Sequence, residues 1–186
     1  MQKKDFLIIA LVPLFLLLIP LVGNATVEGW NWKWNDFLFA YVIFAITTFV
    51  YRLIVSRKPA NLPYKLAAGL AVAAGFLITW LTAAVQIIGE ENPGNTLYAL
   101  VILTGLTGVG LARLKPAGMA RAAFATATVN FLVPVIAVIF WPGDFSPGVE
   151  KVFILNGVFV AMFTVSGLLF RHAATHPIAL GEPVVA

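Results

Sequence analysis

The chain has 186 residues, 61% of them hydrophobic and 11% charged, with mean hydropathy +0.95 and a formal net charge of +4. A soluble domain is typically about 45–50% apolar and about 25% charged, so this composition needs lipid to cover it. No cysteine is present, which excludes a disulfide framework, a thiolate metal site and a thiol nucleophile.

Six apolar runs follow in chain order. The first covers 6–22, behind Lys3 and Lys4, and contains Pro13 and Pro20. A basic start, an apolar stretch and the small residues Gly23 and Ala25 also fit a secretory signal peptide, whose removal would leave five spans. The next connection carries Trp30, Trp32 and Trp34. Asp36 follows Asn35 in the first turn of span two, where a capping role is expected and a cation or proton site is the alternative. The second run covers 37–55. Arg52 lies one turn inside its end, where a long side chain can snorkel to the surface without a partner.

The third run, 66–89, carries small residues at every fourth position: Ala67, Ala71, Gly75, Thr79 and Ala83. Small residues let membrane helices approach closely, so this span is expected at the centre of a tight bundle formed by spans three to six. Spans one and two, rich in Leu, Phe and Ile, are expected to face lipid. Trp80 reads as a packing residue or as a ligand-facing ring. After Gly89 comes the densest polar segment, with Gln86, Glu90, Glu91, Asn92 and Asn95. Asn92 before Pro93 reads as the cap of the next helix. The alternative is a cation or proton site on the outer face using Gln86, Glu90 and Glu91.

The fourth run, 96–111, offers Thr104, Gly108 and Ala112 for packing and ends in a basic turn with Arg113, Lys115 and Arg121. The fifth, 122–141, carries Ala122, Thr126, Asn130 and Pro134. A proline inside a helix frees a backbone carbonyl, here beside Asn130. The sixth, 152–170, offers Gly157 and Ala161 for packing and contains Asn156. Asn130 and Asn156 are the deep polar candidates. They either bridge neighbouring helices or line a solute path. His172 and His176 follow, four apart, as a two-histidine metal pair or a solvated tail.

Charge orients these spans. Lys3, Lys4, Arg52, Arg57, Lys58, Lys65, Arg113, Lys115, Arg121 and Arg171 fall on one side, and only Lys33 and Lys151 on the other. The acidic residues divide oppositely, with Glu28, Asp36, Glu90, Glu91, Asp144 and Glu150 outside and Asp5 and Glu182 inside. Short loops rich in Lys and Arg stay cytoplasmic. The expected fold is therefore an all-α bundle of six transmembrane helices with both termini cytoplasmic, in one membrane domain. The expected partners are the bilayer, anionic lipids at the cytoplasmic face, and a membrane protein or a second copy of this chain. Nucleic acid is not among them.

Little of the sequence carries chemistry. No phosphate-binding loop, GxSxG or HExxH motif occurs. No carboxylate or lysine lies deep in a span, and no histidine lies at membrane depth to ligate haem. No cofactor, metal or catalytic residue is expected. The segments Ile88-Gly89-Glu90-Glu91-Asn92-Pro93-Gly94-Asn95-Thr96-Leu97-Tyr98, Ala112-Arg113-Leu114-Lys115-Pro116-Ala117-Gly118-Met119-Ala120-Arg121-Ala122 and Ser166-Gly167-Leu168-Leu169-Phe170-Arg171 resemble a family of small bacterial membrane proteins. Trp34-Asn35-Asp36-Phe37 is similar to the family's entry to span two. The resemblance implies a bacterial inner membrane and no particular activity. The expected role is that of an accessory or interaction protein acting through helix packing. The alternative is a small channel or carrier for a neutral or weakly charged solute.

Overall fold

A computed structural model describes residues 3–56, 61–90, 92–143, 145–146 and 148–176. Within them all regular structure is helical: α1 (Lys3–Leu16), α2 (Leu18–Thr26), α3 (Trp34–Val55), α4 (Leu62–Val85), a 3-10 segment (Pro93–Leu97), α5 (Tyr98–Ala112), α6 (Pro116–Phe140) and α7 (Val149–Thr175). Six stretches are long and apolar enough to cross a bilayer, α1 and α2 together forming the first. The chain divides into two compact units, Met1–Ser56 and Arg57–Ala186.

In the first unit α1 and α3 pack against each other. The break at Leu17 has a direct cause. Pro20 has no N–H to give the Leu16 carbonyl, while Leu17 still donates to the Pro13 carbonyl at 2.9 Å. Arg52 is not left to snorkel alone: its guanidinium pairs with Asp5, whose side chain is buried. The α2–α3 connection is closed by Asn24, which accepts from the Trp32 amide at 2.7 Å, and by the Trp30 ring lying over Gly23. A side chain at Gly23 would overlap that ring, its Cβ only 2.6 Å from a ring carbon. Asp36 caps α3 as expected, accepting from the Lys33 amide at 2.7 Å. Trp34 stands 79% exposed.

In the second unit α6 and α7 form the centre. Helix α5 packs on α6, α4 packs on α7, and α4 and α5 touch only weakly. The expectation that the third span is central is therefore corrected. A row at every fourth residue advances by about 40° per step around a helix of 3.6 residues per turn. The stripe from Ala67 to Ala83 thus turns away from any single neighbour. Ala67 is buried, Gly75 sees only Ile102 at 3.9 Å, and Ala83 is exposed. The face that packs alternates steps of three and four: Tyr64, Ala67, Ala71, Ala74 and Ile78. Trp80 stacks on Phe76 within the same helix.

Close helix approach occurs elsewhere. A Cβ on Gly108 would lie 2.6 Å from the Ala122 Cβ, and one on Gly167 would lie 2.8 Å from the Phe124 ring. Gly157 and Ala161, expected to pack, are instead exposed on α7, which buries Asn156, Phe159, Phe163, Ser166, Gly167 and Phe170. The α5–α6 turn passes through left-handed backbone at Arg113 and Leu114, and the Tyr64 hydroxyl donates to the Leu114 carbonyl at 2.9 Å to hold it.

Candidate functional site

The polar residues singled out in the sequence lie in two settings. The first is the connection after α4. The apolar run continues to Gly89, but helix α4 ends at Val85, and Gln86 takes a left-handed conformation with φ 52°. That reversal turns Ile87 and Ile88 into the core, where both are buried. Two apolar residues thus leave the helix to plug the end of the bundle.

Asparagines hold this plug in place. Asn95 accepts from the Ile88 amide at 3.1 Å and donates to the carbonyls of Gly89 at 2.8 Å and Asn92 at 3.1 Å. Asn92 accepts from the Gly94 amide at 2.8 Å, the expected cap, although the turn it opens is 3-10 before α5 begins. Gly94 is required there because a Cβ would lie 2.8 Å from the Asn92 carboxamide oxygen and 3.0 Å from Ala137. The Ser146 amide closes the knot onto the Ile88 carbonyl at 3.0 Å. Gln86 and Glu90 are exposed at its rim, and Glu91 lies outside the described residues. The backbone hydrogen bonds of Asn92 and Asn95 give these two asparagines a structural role.

The second setting is internal. Asn130 on α6 and Asn156 on α7 are 0% and 2% exposed. The Asn130 amide donates to the Asn156 backbone carbonyl at 3.3 Å. Asn156 donates to its own helix at Val152, 2.9 Å away, and its amide edge meets the Tyr98 hydroxyl, with Nδ2 at 2.8 Å and Oδ1 at 3.1 Å. Three helices are therefore joined through one buried polar set. Elsewhere in the bundle, Ser166 donates to the Ala67 carbonyl at 2.8 Å and joins α7 to α4.

Tyr98 is the member that sequence reasoning missed. Its signal was an aromatic ring with a polar tip opening an apolar run, a residue type that needs a hydrogen-bond partner when buried. Ser166 gave no such signal, because a serine in an apolar helix usually bonds its own preceding turn.

The histidine pair lies on one helical face, since α7 continues through Thr175. The rings of His172 and His176 stack with centroids 4.3 Å apart. The His176 Nδ1 already faces the Thr175 hydroxyl at 3.0 Å. Among the described residues no third His, Cys, Asp or Glu completes a metal-binding group.

A scan of protein-family models and searches of curated proteins and solved structures found no match to this chain.

Proposed function

We propose that this is a multi-pass accessory protein of a bacterial inner membrane, of the small-protein family its loop segments resemble, working by helix-to-helix contact with a partner in the bilayer. Both termini and the basic connections lie at the cytoplasmic face in this reading, where Lys65, Arg113, Lys115 and Arg121 meet anionic headgroups. One observation carries the interaction reading. Gly157 and Ala161 stand one turn apart on the exposed side of α7, and nothing lies within 4 Å of where a Gly157 Cβ would be. Small residues four apart let a second helix approach closely in lipid, where no hydrophobic drive exists between helices. The interior supports the same reading, because its polar groups are largely used to join its own helices.

The test uses the absence of cysteine. Gly157→Cys and Ala161→Cys, placed singly and oxidised in native membranes, are expected to trap a second copy, and a photo-crosslinking residue at either position a different partner. A cysteine at Val85, at the end of α4, serves as the unreactive control. A protein that stays uncrosslinked, purifies alone and carries solute flux in vesicles would overturn the proposal.

A small channel or carrier for a neutral solute is the second reading, favoured by the clustering of Asn130, Asn156 and Tyr98 in one buried set. It requires water access, so cysteines at 130 and 156 should react with a small polar reagent from one side. Failure at both positions removes it.

A further inference from the structure

We infer that Asn130 forms the acceptor half of a built-in site for one buried water molecule inside the second unit. One acceptor on this residue lacks a protein donor, and a second loses its usual one. Its side-chain Oδ1 is buried with no hydrogen-bond partner. Its backbone carbonyl would ordinarily accept from the amide four residues on, but that residue is Pro134, which has no N–H. The side chain cannot solve the problem by turning over. Its Nδ2 donates to the Asn156 carbonyl, and a carbonyl only accepts, so reversal would set oxygen against oxygen.

The hydroxyls of Thr126 and Tyr98 are already engaged. Thr126, one turn before Asn130, donates to the Ala122 carbonyl at 2.8 Å, and the Tyr98 hydroxyl lies against the Asn156 amide. Buried acceptors are almost always satisfied, and a buried water typically bonds about three otherwise unpaired polar groups. One water carries two hydrogens, which match the two oxygens of Asn130. A hard cation would need about six oxygen ligands and usually a carboxylate, and α6 contains no acidic residue. The ligand class is therefore a neutral, water-sized hydrogen-bond donor. This inference stands apart from the function proposed above.

The test is a structure of the full chain in lipid or detergent, at a resolution that shows ordered water. The expected result is one water within about 3.2 Å of both Asn130 Oδ1 and the Asn130 carbonyl. Pro134→Ala supplies the missing amide, so the water should move off the carbonyl or lose occupancy. Asn130→Leu should abolish it, and Pro134→Ala keeps the test open if that variant does not fold. A dry site, or Oδ1 accepting directly from a protein donor, would overturn the inference. A water unmoved in Pro134→Ala would overturn the two-oxygen site.

Discussion

Two glycines on α5 separate close packing from helix propensity. A Cβ at Gly108 would stand 2.6 Å from the Ala122 Cβ and 3.2 Å from the Ala122 Cα, whereas one at Gly110 would meet nothing within 4 Å. Carbon atoms settle at about 3.5–4.0 Å, so Gly108→Ala forces α5 and α6 apart by roughly 1 Å. The neighbour cannot yield by rotation, because the clash is with an alanine and its backbone. Overpacking of this kind costs about 1–3 kcal/mol. The gain from replacing glycine by alanine in a helix is at most about 1 kcal/mol. It is smaller in a bilayer, because a helix in lipid keeps its own backbone bonds even when parted from its neighbours. Gly108→Ala should therefore destabilise the bundle by about 1–2 kcal/mol, roughly a 5- to 30-fold shift in the folded ratio. Gly110→Ala should be neutral or slightly stabilising. Reversible denaturant titration in mixed micelles, run on both variants, reads the difference directly. Equal stability of the two variants would refute the claim that Gly108 sets the α5–α6 distance.

Three other changes probe the remaining contacts. Tyr98→Phe removes the hydroxyl that meets the Asn156 amide, and should cost about 1–2 kcal/mol in the same titration, since a buried amide then loses a partner. Asn95→Ala removes the clasp on Ile88, Gly89 and Asn92. Hydrogen exchange should rise at the amides of Ile88 and Ser146 while α6 stays protected, because the loss is local. For Asp5 and Arg52, a double-mutant cycle with Asp5→Asn and Arg52→Gln should return a coupling of about 0.5–3 kcal/mol. A value near zero would mean that Arg52 reaches the headgroups independently.

Legibility in the sequence followed the range of each interaction. The caps made by Asp36 and Asn92 were readable because a cap involves residues two or three apart. The close approach of Gly108 to Ala122 was half readable, since both helices offered small residues but nothing local paired them. The Arg52–Asp5 pair, 47 positions apart, was not readable, and snorkelling was an equally good local account of Arg52. Of the candidate polar residues, Asn130 and Asn156 come together across α6 and α7, joined by Tyr98. Gln86 and Glu90 lie at the rim of a loop whose asparagines answer one another.

The sequence by itself determined the helical class, the six apolar stretches and where they are punctuated. Apolar run length, proline and asparagine act on the chain locally, wherever the helices later settle. Only the tertiary structure decided which face of each helix is used. It moved the centre of the second unit from α4 to α6 and α7, because a row of small residues at every fourth position winds around its helix and leaves its neighbour. It also turned Gly157 and Ala161 outward while burying Ser166 and Gly167. A small residue permits contact from any side, and which side is taken depends on the partner that the rest of the bundle brings to it.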